Sequence, residues 1–396
     1  MEADKMGLFR KDLNDQVFKI EVSDIRQFDD EVSQIPGMIK LTMGEPDFNT
    51  PDHIKKAAIE AINENYSHYM GMAGDIELRT AASEFFNEKY GVSYDAQSEI
   101  LVTVGATEAI ATALQTIFNP GDAVLVPTPL YPGYMPLITL NRIKPIYIDT
   151  RDNNFRLTPD MINQAIADNP DETIKGIILI NPSNPTGISW TEDEIIAITD
   201  EIRTQKLWAI SDEIYSELTY GHNHISIAKY IRDQTVLING LSKSHAMTGW
   251  RIGFLLAPKA MTDELKKVHQ YLVTSATSVS QRAGIAALRD GKDDGRIMNV
   301  EYKKRRDFVM TEMKKMHFEM AEPSGAFYIF AKIPEGYNQD AMAFCKDLAF
   351  NHKLALIPGT AFGESGKGYI RLSYAASMDN LVAGMERLNA YMTENK

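Results

Sequence analysis

Cysteine is almost missing from this sequence. Cys345 stands alone among 396 residues, so no disulfide can form within the chain, and a reducing compartment is the expectation. Long hydrophobic runs are missing too. Stretches such as GIILI (176–180) and GFLLA (253–257) fall far short of the roughly 20 apolar residues a membrane helix needs, so no membrane partner is expected. Positive charge is in deficit: 41 Lys and Arg face 54 Asp and Glu, a net charge of −13, which argues against nucleic acid as a partner. The opening MEADKMGLFRKDLND is polar and mixed in charge, without the apolar core of a signal peptide, so a cytoplasmic location is expected. No repeat, low-complexity tract or long linker appears, and G-x-G-x-x-G, the dinucleotide fingerprint, is absent.

What is present is an ordinary globular balance, 44% hydrophobic and 24% charged. The length exceeds one ordinary core and suggests either two domains or one large α/β domain with a satellite. From residue 100 short apolar runs alternate with amphipathic stretches. The runs are ILVTV (100–104), AVLVP (123–127), KPIYI (144–148), GIILIN (176–181), LWAIS (207–211), TVLIN (235–239) and IGFLLA (252–257). Continuous apolar runs suit strands buried on both faces. Between them lie helical patterns such as 191–205, where Thr191 and Glu194 are spaced for a capping box. The expected fold is therefore α/β, with a mostly parallel, doubly wound, seven-stranded sheet. Near residue 290 the texture changes to one long helix (297–316), two shorter strands and a final helix, a smaller α+β domain. The expected division is 46–290 for the large domain, with 1–45 and 291–396 forming the small one.

In an open α/β sheet, ligands gather outside the carboxyl ends of the strands. The residues just after the apolar runs differ in type at each run. After the first comes GATEAIATALQTIF, where Gly105 permits a tight turn and the amides of Ala106 and Thr107 open a helix, an anion site suited to phosphate. After the second, Tyr131 or Tyr134 offers a ring to a flat ligand. After the fourth comes NPSNPTG, a rigid non-helical turn from which Asn181 or Asn184 can point an amide at a hydroxyl. SDEIYSEL follows the fifth, with Asp212 at the strand end and Tyr215 three residues on. A carboxylate there keeps a ring nitrogen protonated. After the sixth comes NGLSKSHAMTGWRIGF (239–254), in which Lys243 sits among small and apolar residues where an ammonium is costly, eight residues before Arg251. An amine in such company loses its proton readily and attacks an aldehyde, and an arginine fork fits phosphate. A phosphate cradle, a stacking ring, a hydroxyl partner, a carboxylate for a ring nitrogen and an amine for an aldehyde together describe the handles of one cofactor, pyridoxal 5′-phosphate.

The same residues carry a family resemblance. NPSNPTG, SDEIY, SKSHAMTGWRIG, HYMGMAGDIELR (68–79) and YIRLSYAAS (369–377) resemble the motifs of the class I/II aminotransferases of pyridoxal-phosphate fold type I, over roughly residues 40–380. The resemblance implies that Lys243 bonds the cofactor and shuttles the proton, and that Asp212 pairs with the pyridine nitrogen. It implies that Asn184 and Tyr215 hold the 3-hydroxyl oxygen and that Tyr131 stacks on the ring. Ala106, Thr107 and Arg251 would hold the phosphate, with Tyr69 reaching it from the other subunit of a homodimer with shared active sites. Arg371 would clamp the substrate α-carboxylate, with backbone at Gly44 closing over it. Gly240 departs from the pattern, because many members carry a phosphate-binding serine there; Ser242 is the nearest substitute. Ala106 stands where relatives often have glycine.

The implied reaction is amino transfer from an L-amino acid to a 2-oxo acid such as 2-oxoglutarate, by a ping-pong mechanism. A carbon–sulfur β-lyase on the same scaffold is the alternative. A non-catalytic, cofactor-sensing regulator would need a DNA-binding domain, for which the residues before the matching region are too few and too acidic. No second cation for a distal carboxylate can be placed. The segment SDIRQFDD, with Ile25 and Phe28, is expected to line the side-chain pocket and favours aromatic or other large donors. Three further patterns are expected to be bland. GESGKGY (363–369) misses two positions of a P-loop, HNH (222–224) reads as an exposed turn rather than a metal site, and KKRR (303–306) reads as a solvated helix face.

Overall fold

The computed structural model describes residues 13–20 and 24–395; for 24–27 it describes the backbone alone. The seven apolar runs all form strands of one sheet. They are β2 (Ile100–Thr103), β3 (Ala123–Thr128), β4 (Lys144–Asp149), β5 (Ile174–Ile180), β6 (Trp208–Asp212), β7 (Thr235–Gly240) and β8 (Gly253–Leu256). The order across the sheet is β2-β8-β7-β6-β5-β3-β4, with β8 alone running against its neighbours. Both faces are covered over the inner strands, which is why those strands read as unbroken apolar runs; the edge strand β4 alternates, with Lys144, Tyr147 and Asp149 exposed. Successive residues point to opposite sides. Val124, Val126, Ile178 and Ile210 pack in one cluster with Ala109, Ala113 and Leu114 of the helix Gly105–Ile117. Leu125, Ile177, Leu179 and Ala209 pack in another with Ile195, Ile198 and Ile202 of the helix Glu192–Gln205. That second helix begins at the expected capping box, Thr191 and Glu194 satisfying each other's backbone amides.

The rest of the chain builds a second layer system. The strands β9 (Glu319–Met320), β10 (Tyr328–Lys332), β12 (Ile357–Pro358) and β13 (Tyr369–Ser373) form an antiparallel sheet ordered β12-β13-β10-β9. The strands β1 (Ile39–Lys40) and β11 (Leu354–Ala355) pair in parallel, and the Ser373 amide donates to the Leu41 carbonyl at 2.9 Å, so the early chain is stitched onto the late chain. The long helix runs Asp294–Lys315.

Two bland readings need correction there and nearby. Lys303 and Lys304 face solvent, but Arg305 and Arg306 are buried. A step of 100° per residue turns them toward the inner face shared with Tyr302 and Val309. The Arg305 guanidinium bonds the Asp47 carboxylate at 2.6 Å over the rings of Phe48 and Tyr302, and Arg306 donates to the Pro323 carbonyl at 2.8 Å. Likewise His222 is exposed but His224 is buried, its Nε2 2.7 Å from a Glu213 carboxylate oxygen. No group of metal-ligating side chains occurs among the described residues. No helix among them is long and apolar enough to cross a membrane.

Candidate active site

The sheet collects its chemistry at one edge. The carboxyl ends of β2, β5, β6 and β7 lead into Gly105, Asn181, Asp212 and Lys243 in turn. Arg251 precedes β8, yet reaches the same edge because β8 runs antiparallel: Gly253 pairs with both Thr103 and Gly240.

Lys243 lies in the short helix Leu241–Ser244, with Ser242 buried beside it. Its Nζ donates to the Gly44 carbonyl at 2.5 Å and sits 5.9 Å over the Phe327 ring. Burial lowers the amine's pKa to about 8; Glu45 and Asp212 pull it up, while Arg251 and Arg371 push it down. Asp212 is buried at the end of β6. Its Oδ2 accepts from the Tyr134 hydroxyl at 2.9 Å and its Oδ1 from the Ile214 amide at 3.1 Å. Burial raises its pKa to about 6 against those two hydrogen bonds. A buried carboxylate held this way is stabilised by any cation brought against it.

Beneath Asp212 its neighbour Glu213 is fully buried and anchors the strand end. Its side chain accepts from the Ser211 and Ser226 hydroxyls and the Ile227 amide, besides His224. The Glu213 carbonyl accepts from Asn239 at 2.9 Å, tying the ends of β6 and β7 together.

The expected anion site lies where the start of β8 meets the helix Gly105–Ile117. A Cβ at Gly105 would lie 2.5 Å from Arg251 Nη2, so the guanidinium rests directly on that turn. Gly105 takes a φ of +70°, which suits glycine. The first-turn amides of the helix, those of Ala106 and Thr107 included, have no intrahelical acceptor. The Glu108 side chain folds back to the Val104 amide at 3.1 Å, away from them. Gly240 is glycine for a packing reason. A Cβ there would stand 2.8 Å from the Ile252 carbonyl oxygen and 3.1 Å from the Gly253 Cα.

The two asparagines of NPSNPTG separate cleanly. Asn181 is internal, accepting from the Trp190 amide at 3.0 Å, and folds the loop onto itself. Asn184 faces the site, its Oδ1 accepting from Arg371 Nη1 at 3.2 Å. Arg371, on β13, is buried between the rings of Tyr328 and Phe362, 4.6 and 4.9 Å away. Its Nη2 donates to the Thr42 carbonyl, and its Nε is buried with no partner. No carboxylate among the described residues pairs with it. A buried guanidinium left without a counter-ion is a receptor for a carboxylate from outside.

The two tyrosines separate as well. Tyr131 is half-exposed and meets the buried Tyr134 edge to face, at 6.3 Å and 88°. Tyr215 is buried, its hydroxyl 2.8 Å from that of Tyr328. Tyr69 is 89% exposed and takes no part in this cluster within one chain. The Ile25 side chain lies outside the described residues. Phe28 packs in the core with Leu41 rather than lining a pocket. Tyr328, Phe327, Phe362 and Thr42 escaped the sequence reading. Each comes from the second layer system, at a distance in sequence that only the fold closes.

A seven-stranded, mostly parallel sheet carrying a half-buried amine, a buried acid and an arginine with no carboxylate partner among the described residues at one edge defines a class of enzyme. Residues 36–388 match the description "Aminotransferase class I and II", and the chain belongs to that family; it is a transferase. It is 46% identical over 384 residues to the "Probable N-acetyl-LL-diaminopimelate aminotransferase" of Bacillus subtilis, covering 97% of this chain and 96% of that one. Among solved structures it resembles the aspartate aminotransferase of Thermus thermophilus with maleate (TM-score 0.89, 29% identity, 96% and 99% covered). It also resembles the N-succinyldiaminopimelate aminotransferase of Mycobacterium tuberculosis (TM-score 0.89, 26% identity, 96% and 99% covered).

Proposed function

We propose that the chain is a pyridoxal-phosphate-dependent aminotransferase that carries the cofactor on Lys243 and works in the cytoplasm as a homodimer by a ping-pong mechanism. The observation that carries this reading is the convergence of a half-buried, pKa-lowered amine at 243 and a buried acid at 212 on one sheet edge. The residues fit the cofactor. The Gly105 turn and Arg251 make an anion cradle with no space for a Cβ, and the Arg371 Nε has an unmet hydrogen bond. Lys243 would bond the aldehyde, Asp212 would face the ring nitrogen, and Asn184 and Tyr215 the ring oxygen. Tyr131 would cover the ring, and Ala106, Thr107, Ser242, Arg251 and the partner's Tyr69 would hold the phosphate. When bound, the cofactor supplies the electron sink that lets the Cα–H bond of an amino acid break.

The protein does the rest. Arg371 would hold the substrate carboxylate, with Gly44 backbone and Asn184 beside it, and so fix the orientation of the bond that breaks. Lys243 would take the Cα proton at its Nζ as a base; burial lowers its pKa to about 8 and so keeps the neutral form accessible near neutral pH. Asp212 would keep the ring nitrogen protonated, and Tyr134 and Ile214 keep Asp212 aimed.

The donor we infer is a long diamino dicarboxylic acid acylated at its far nitrogen, of the kind named for the Bacillus subtilis relative, with 2-oxoglutarate as acceptor. A cavity of about 650 Å³ supports it. Leu130, Met135, Tyr147, Phe362 and Lys19 are among its walls, and Phe362 is the residue that also touches Arg371. This narrows the expectation of an aromatic or other large donor drawn from Ile25 and Phe28.

Lys243→Ala tests the core of the reading. The wild type is expected to show a visible cofactor band that borohydride fixes irreversibly; the variant is expected to keep its fold and lose both the fixable band and turnover. A fixable band in the variant would remove Lys243 as the anchor. A donor panel tests the substrate: kcat/KM is expected to be highest for N-acetyl-LL-diaminopimelate, and a maximum with phenylalanine or tyrosine would overturn that choice. Continuous pyruvate and ammonia from one amino acid alone would favour the lyase.

A further inference from the structure

We propose that Tyr328 is a positioning residue that aims the hydroxyl proton of Tyr215 at the cofactor and couples that proton to the occupancy of Arg371. The proposal rests on the cofactor reading above. Tyr328 and Tyr215 are both buried, with hydroxyls 2.8 Å apart and rings edge to face at 5.8 Å and 83°. Each phenol has a single proton, so one hydrogen bond joins the pair and one proton is left over. Three contacts decide which.

The Arg371 guanidinium lies 4.6 Å from the Tyr328 ring centre. A cation there draws density from that phenol and makes it the better donor of the two. The Tyr328 hydroxyl is also walled in, since a Cβ at Gly44 would fall 2.0 Å from its oxygen. Its remaining direction is toward Tyr215. Tyr215, meanwhile, stands in the loop that follows Asp212, anchored through Glu213 and Asn239. Tyr328 therefore donates, Tyr215 accepts, and the Tyr215 proton is free for the ring oxygen of the cofactor. A chain of two donors polarises more strongly than one.

Tyr328 also touches each part of the machinery at once. Its ring supports Arg371, its hydroxyl meets Tyr215, and it packs against Gly44, whose carbonyl receives Lys243. When a substrate carboxylate neutralises Arg371, the bias on the Tyr328 hydroxyl weakens, and the hydrogen bond to the cofactor oxygen weakens with it.

The readout is the pH midpoint of the visible band of the bound cofactor. Donation to the ring oxygen stabilises negative charge there and lowers the proton affinity of the nitrogen conjugated with it. Tyr328→Phe keeps the ring under Arg371 and removes only the hydroxyl, so the midpoint is expected to rise by about half to one pH unit. KM for the donor should stay within about threefold, because the Arg371 support is intact. Tyr215→Phe should raise the midpoint by itself, and in that background Tyr328→Phe should add nothing. An unmoved midpoint in Tyr328→Phe, an equal shift in both backgrounds, or loss of the band in Tyr328→Phe alone would overturn the proposal. A Tyr215→Phe midpoint that does not move would instead count against the placing of Tyr215 on the ring oxygen.

Discussion

At the scale of single residues, Asp212 shows what it costs to keep a charge ready. Its folded pKa is raised from 3.8 to about 6, with burial the largest cause. The folded state thus binds the proton more tightly than the unfolded chain, and the stability this confers is complete below about pH 4 and lost as pH rises through 6. The protein stripped of cofactor should therefore carry a buried-charge penalty at pH 8. Asp212→Asn is expected to raise its melting temperature by a few degrees at pH 8 and to leave it unchanged near pH 4, because at the lower pH Asp212 is already neutral. Calorimetry at the two pH values checks this; a gain equal at both would mean that charge is not the cause. Lys243 and Asp212 were visible in the sequence because their settings are anomalous, one an amine among small apolar residues and the other an acid closing an apolar strand. Tyr328 was not. In AFYIFAKI it is one aromatic among three, and only the pairing of β10 with β13, setting Tyr328 opposite Ser373 and Phe330 opposite Arg371, gives it neighbours that matter.

At the scale of elements, most of the strands were legible because they bury both faces and so read as continuous apolar runs; only the edge strand β4 alternates exposed and buried residues. Helix ends were legible where a side chain caps them, as at Thr191. The antiparallel course of β8 was not. It is decided by a connection of twelve residues between β7 and β8 (241–252) that turns back through Lys243 and Arg251. That reversal is what brings Arg251 to the same sheet edge as Gly105 and Lys243. Gly240 belongs to the same joint. Gly240→Ser would place a Cβ against backbone on β8, which cannot move without breaking the ladder. We expect it to destabilise the fold by about 1–3 kcal/mol rather than to improve phosphate binding. Denaturant melts and cofactor titration read the two effects separately, and a variant of unchanged stability with tighter cofactor binding would reverse this view.

At the scale of the whole molecule, the site is incomplete in one chain by the reading proposed above. Tyr69 stands exposed on a segment flanked by other exposed apolar residues, Ile62 and Met72, a surface that a second copy would cover. If Tyr69 completes the partner's site, chains carrying Tyr69→Ala and chains carrying Lys243→Ala should restore activity on being unfolded and refolded together. One site of each mixed dimer then has both residues. Assay of the mixture against each refolded parent checks it, and activity no greater than the sum of the parents would mean that each site is built within one chain.

By itself the sequence determined the sheet, the order of chemical groups along its edge and the family, because these depend on local pattern: apolar runs, turn residues and a few misplaced charges. The tertiary structure alone decided what surrounds each group. Arg371 has no carboxylate partner among the described residues, Asn184 rather than Asn181 meets it, Arg305 and Arg306 turn inward, and Tyr328 joins Tyr215. Each depends on contacts between segments far apart in the chain, and it is burial and charge at close range, not position in sequence, that set how a side chain holds its proton.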